Sequence, residues 1–267
     1  MDPIGTYSFL PWLRRGLSTA ATAAAPGTQR AMVSVDMTVH ADKIGGGELT
    51  QPVHRDVQLY GAGDVVGLDA RAIVRTEPRA WITNFEPNYL PFVEFVDEDL
   101  PWRYTPAAPD GQQRLMPWLT LLVLAEDEFE DGTAPGKPLP YIDITDPKVF
   151  PAAQDLWAWA HVHVNRGLDA AGEVFSDTMA QVLPKFDAAM HENPDLGLSR
   201  LVCPRHLTKT TGYHAFVVPT FEAGRLSGLG LDPTGAPSAT HVSTRAESRT
   251  TRGRCSSRSR SHRRFLQ

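Results

Sequence analysis

Cysteine is nearly missing from this sequence: Cys203 and Cys255 are the only two in 267 residues. They stand in different contexts and make neither a disulfide framework nor a CxxC metal knuckle. No apolar run approaches the ~20 residues that cross a bilayer. The longest lies near Trp118 to Ala125. The opening "MDPIG" has an acid and a proline where a secretory leader carries positive charge. A cytoplasmic product with no membrane span is therefore expected. GxSxG, SxxK, P-loop and kinase signatures are all missing, so the familiar motifs of acyl and phosphoryl transfer give no lead.

Lysine is missing from the last thirty residues, and arginine is not. Residues 238–267 hold eight arginines against one acid, Glu247, a net of +7. The whole chain is −5, so the first 237 residues carry −12. An acidic body argues against a nucleic-acid partner. The stretch "STRAESRTTRGRCSSRSRSHRRFLQ" has almost no apolar residues and no period. It cannot bury enough surface to offset chain entropy, so a disordered tail is expected over 233–267. Arginine without lysine fits translation of an alternative frame in a GC-rich gene. The other reading is an Arg/Ser-rich arm that meets RNA phosphates or a partner. With the frame altered near residue 235, the chain would be the front of something longer, short of strands that complete its sheet.

What the sequence does have is turn formers. With 22 prolines and 21 glycines it favours many short elements. Residues 6–25 read as an amphipathic helix, with Phe9, Leu10, Leu13 and Leu17 at helical spacing and Arg14 and Arg15 on another face. From residue 31 the period becomes two: Val33, Val35, Met37 and Val39 alternate with Ser34 and its neighbours, the pattern of a half-buried strand. Further strands are expected near 52–60 and 70–76. The intervening "GAGDVVG" resembles a dinucleotide fingerprint only superficially, because no helix follows it. The aromatic stretch 78–106, with five prolines, should cross the surface and pin its rings into clefts. Residues 117–125 form the best buried strand, since an unbroken apolar run needs cover on both faces. Phe175, Met179, Val182, Phe186 and Met190 make one helical stripe, kinked or restarted at Pro184. The expected architecture is α+β and mostly antiparallel: an N-terminal helix or arm (1–30), one β-rich domain (31–232) with a mid-chain helix, and the tail.

The stretch "DLWAWAHVHVN" (155–165) holds the strongest candidate chemistry. Read as a strand, it puts Trp157, Trp159, His161 and His163 on one face. Two imidazoles one strand pitch apart are the spacing of metal sites on strands, provided further ligands arrive. His206, His214, Asp143 and Asp146 are the candidates, with His161, His163 and His206 as the leading set. That set would serve a metal-dependent hydrolase or oxygenase. The competing reading, which we prefer, gives the Trp and His face to contact with another element or subunit, since both side chains are amphipathic. Cys203 and His206 in "CPRHL" fall on opposite sides of an extended chain, which disfavours a Cys–His pair. The acid runs "VDEDL" and "AEDEFEDG" lack the spacing of calcium loops and read as solvated turns.

Several stretches together carry a family likeness. They are "YSFLPWLRRGL", "LTQPVHRDVQLYGAGDVVGLD", "IVRTEPRAWITNFEPNYLPFVEFVDEDLPWRYTPAAP", "RLMPWLTLLVLAEDEFE", "WAWAHVHVN" and "SRLVCPRHLTKTTGYHAFVVPTFEAGRLSGLG". Over residues 6–231 the chain resembles a bacterial family, without assigned catalytic residues, associated with gene clusters for phage-tail-like contractile injection systems. The resemblance implies a structural or accessory subunit whose partners are other subunits of a large assembly. It implies no cofactor and names no small-molecule substrate. Trp12, in the first stretch, joins Trp157, Trp159, His161 and His163 as a candidate contact residue. Family members continue past this point, whereas this sequence departs after Leu231, as an altered frame requires.

Overall fold

Seven consecutive residues, Leu119–Ala125, are buried on both sides, and the fold is organised around them. They form strand β6 in a computed structural model that describes residues 21–22, 24, 30–108, 110, 114–133, 135–136, 139–144, 146–164, 179–243, 253–256 and 264–266. Along β6 odd residues face one core and even residues another, as strand alternation demands. Leu119, Leu121 and Val123 enter a large cluster with Phe95, Trp102, Trp118, Phe186 and Phe221. Leu122 and Leu124 enter a smaller one with Ile142, Ile144, Phe216 and Val218. The unbroken apolar run is thus a strand with two covered faces.

The described strands form four antiparallel sheets, one of which contains β6. Strand β1 (Ala21–Thr22), β2 (Met32–Asp42) and β3 (Glu48–Gln58) form the first. The second takes β4 (Ile73–Glu77), β5 (Phe92–Phe95), β10 (Gly197–Val202) and β9 (Ala160–Val164), in that spatial order. The third pairs β6 with β11 (Gly212–Pro219), and the fourth pairs β7 (Phe129–Gly132) with β8 (Tyr141–Ile144). Helix α1 (Met179–Glu192) buries Phe186, Ala189 and Met190, an i, i+3, i+4 stripe. Pro184 is the sixth residue of α1, where its missing N–H removes one intrahelical hydrogen bond. A second short helix, α2 (Glu222–Gly228), follows β11. The fold is β-rich α+β, as expected. Among the described residues no helix is long and apolar enough to cross a membrane.

Four expectations change. The helix over 6–25 cannot run to its end, because Ala21–Thr22 is a strand paired with Met32 and Val33; residues 6–20, Trp12 included, lie outside the described residues. Phe175 lies outside them too. The boundary at 232 falls early. Residues 233–243 pack on α2, burying Ala236, Ala239 and Ser243, and the Glu222 and Ser243 amides donate to the His241 and Thr220 carbonyls. Small apolar residues without a period hid this segment. Beyond it, the backbone of β12 (Gly253–Ser256) pairs with β8 and that of β13 (Arg264–Leu266) with β11. Finally, Phe95 and Trp102 are pinned in the core, but Trp81 and Tyr89 of the same aromatic stretch are 63% and 65% exposed.

The β2–β3 pair stands apart from both cores. Ala31 and Val33 are buried at its root, where the Arg30 guanidinium meets Asp64 at 2.9 Å. Beyond Val33 neither strand has a buried residue.

Candidate functional site

Sequence and sheet register together define a polar face. In β10 the residues Gly197, Ser199 and Leu201 are buried, which turns Leu198, Arg200 and Val202 to the opposite side. Cross-strand partners share a face. Arg200 stands opposite His161 on β9 and Glu94 on β5, and Glu94 stands opposite Arg75 on β4. His163 and Phe92 sit opposite Leu198 and Val202. One row thus reads Arg75, Glu94, Arg200, His161 across four strands.

Arg200 is its hub. Its Nε and Nη2 donate to Glu94 Oε2 at 3.2 and 2.6 Å, and Nη2 also donates to His163 Nδ1 at 3.1 Å. Its guanidinium carbon lies 4.0 Å from the centre of the Phe92 ring. A guanidinium can only donate, so His163 Nδ1 accepts and the ring proton belongs on Nε2. Nδ1 is 3.9 Å from Glu94 Oε2, too far for a hydrogen bond.

Burial pushes the Glu94 carboxyl up. His163 and Arg200 outweigh it and hold Glu94 down at about 2; since two acceptors face each other across that 3.9 Å, Arg200 is the stronger cause. His161 goes the other way from its ordinary value. Burial, then the Arg200 charge, then His163, push it down to about 4. At neutral pH the cluster is therefore a buried carboxylate, a guanidinium and an uncharged His161.

This arrangement changes the reading of the HxH pair. His161 and His163 do share a face, but a fixed cation stands beside both and repels a second one. His206 is exposed on the loop after β10, its Nδ1 donating to the Pro87 carbonyl at 3.2 Å. His214, on β11, belongs to a different sheet. Among the described residues no group of three or more His, Cys, Asp or Glu side chains is placed to hold a metal ion. The set His161, His163 and His206 is not brought together.

The tryptophans are also placed differently. Residues Ala153–Trp159 form a 3-10 helix, and the strand begins only at Ala160. Trp157 and Trp159 are half-buried and do not continue the histidine face. The Arg114 guanidinium lies 4.3 Å from the Trp157 ring centre. Cys203 is buried, and burial pushes its thiol up, which removes nucleophilic character. The acid runs are partly consumed by arginines. Arg103 bonds Asp99 at 3.1 Å and Asp97 at 2.9 Å, and Arg205 bonds Glu128 at 2.9 Å. Sequence reasoning missed Arg200 and Glu94. A charged residue between Leu198 and Val202 in an alternating strand was the available signal.

Comparison of the chain with family models, with curated proteins and with solved structures finds no match.

Proposed function

We propose that the protein is a structural or accessory subunit of a large bacterial assembly, of the phage-tail-like contractile kind its sequence resembles. It acts in the cytoplasm by contact with neighbouring subunits and not by catalysis. One observation carries this reading: the β2–β3 ribbon places two eleven-residue strands outside both cores. Ordering a residue costs ~1–2 kcal/mol of backbone entropy, and an isolated hairpin is marginal in water. An arm of this kind adds little to the stability of the body that bears it. It extends about 37 Å at ~3.4 Å per residue, enough to reach an adjacent subunit. The polar row around Arg200 fits the same reading as a lock that joins β5, β9 and β10 and holds the sheet rigid.

The test is sedimentation. The intact protein is expected to co-sediment with sheath–tube particles from cells that carry the cluster. A variant with residues 36–54 replaced by a two-residue Asn-Gly turn should fold and remain in the supernatant. Finding the intact protein only in particle-free fractions would sink the proposal.

A further inference from the structure

One face of the β2–β3 ribbon is polar and carries a closed network. Its cross-strand pairs are Ser34 with Asp56, Asp36 with His54, Thr38 with Pro52, and His40 with Thr50. His54 stands between two acids, Asp36 across the ladder and Asp56 two residues along its own strand. Its Nδ1 donates to Asp36 Oδ1 at 2.7 Å, and its Nε2 lies 3.3 Å from Asp56 Oδ1. Ser34 Oγ donates to that same Asp56 oxygen at 2.6 Å. The contacts thus cross from β2 to β3 twice. A carboxylate can only accept, so a ring with an acid at each nitrogen needs a proton on both and is a cation.

Among the described residues no other cation meets Asp36 or Asp56. Further along the same face His40 Nδ1 meets Glu48, and Asp42 stands opposite Glu48. Arg55 belongs to the other face and reaches only the His54 carbonyl, at 3.0 Å. Strand β1, which pairs with β2 at the root of the ribbon, brings Ala21 and Thr22, neither of them titratable. The His54 side chain is 59% exposed, so its proton exchanges with water. Exposed ion pairs are individually weak. On this ribbon they count, because a two-stranded hairpin without a core rests on its cross-strand pairs.

Loss of the proton changes the sign of one contact. A neutral imidazole keeps a hydrogen on one nitrogen and presents a lone pair at the other, so one of the two acids then faces an acceptor. We propose that His54 is a proton-operated clamp between β2 and β3, closed on Asp36 and Asp56 while the ring is charged and slack once it is not. The bond to Asp36, then the charges of Asp36 and Asp56, raise His54 above its ordinary 6.5. The clamp is therefore whole below 6.5 and is lost as pH rises through the higher value of the folded chain. His161 in the body is pushed down instead, so its contribution is lost towards acid. The arm loosens in the direction that firms the body. This regulation of the arm goes beyond the assembly role and does not depend on it.

Two measurements on the purified full-length protein test it. In a nuclear magnetic resonance titration, the His54 signal is assigned by its loss in His54→Gln. Its midpoint should lie above 6.5, and Asp36→Asn/Asp56→Asn should lower it. Hydrogen exchange of peptides within 34–56, taken relative to unstructured rates at each pH, reads the clamp itself. Protection in the parent should fall about threefold between about pH 6 and about pH 9. In His54→Gln, where no proton is lost, it should stay level. A midpoint at or below 6.5, level protection in the parent, or the same fall in His54→Gln would each overturn the proposal. Particle sedimentation plays no part in either measurement, so failure here leaves the assembly reading standing.

Discussion

Strand β6 and the β2–β3 ribbon are both rich in aliphatic side chains, yet no residue of β6 exceeds 7% exposure while the ribbon has no buried residue beyond Val33. The difference lies in where each finds its partner. Strand β6 pairs with β11, Leu122 lying opposite Phe216, and its two faces meet side chains from across the chain. The ribbon pairs with itself through a five-residue turn, so its hydrogen bonds are local and neither core reaches it. Alternation of apolar residues specifies which face is apolar. It does not specify that the body supplies the cover.

The sharpest way to break this comparison is to excavate β6. Leu122→Ala removes a fully buried side chain from the smaller core. The expected loss is about 2–5 kcal/mol, read from the midpoint of urea unfolding. A loss below about 1 kcal/mol would mean that the second face of β6 can collapse around the gap, and the contrast with the ribbon would weaken.

The polar row sharpens it next. Removing Arg200 strands Glu94, whose side chain is only 7% exposed. Arg200→Met is expected to cost on the order of 3 kcal/mol, because one charge of a buried pair is left without its partner. Adding Glu94→Gln should recover part of it. If the double variant is no more stable than the single one, Arg200 acts through its packing on Phe92 and not through its charge.

These elements were not equally legible. Strand β6 could be read because an unbroken apolar run has one structural meaning at that length. Strand β9 could be read from Ala160 onward, but Trp157 to Trp159 do not belong to it. A 3-10 helix repeats every three residues and a strand every two, but a stretch as short as Trp157 to Trp159 is too brief to tell the periods apart, and only the fold separates Trp159 from His161. The Arg200–Glu94 pair spans 106 residues, and nothing local in either strand announces it. Residues 233–243 were legible only through their backbone bonds to Thr220 and Glu222.

Acid separates the two regions by titration. His161 is pushed from 6.5 down to about 4, so between those values the unfolded chain binds a proton that the native one refuses. Stability should therefore be full above about pH 6.5 and fall as pH drops towards about 4. Between pH 6.5 and 5 the expected loss is about 1–2 kcal/mol, discounted for partial exposure of the ring. Glu94 works lower down. Its contribution is present above 4.5 and lost as pH falls through about 2. Urea midpoints at pH 7.5 and 5 should differ in the parent and nearly coincide in His161→Asn. An unchanged slope in that variant would move the acid sensitivity elsewhere.

The smallest effect is expected on the ribbon, and its smallness is the point. Val39→Thr and Met37→Thr each exchange an exposed apolar side chain for a β-branched polar one that suits a strand. Neither position touches a core, so global unfolding should shift by no more than about 0.5 kcal/mol. A loss above about 2 kcal/mol would place the ribbon inside the cooperative unit of the body, since only buried or tightly coupled sites respond on that scale. The contrast with β6 would then be one of degree, and the arm could no longer be treated as an element maintained for what lies outside the fold.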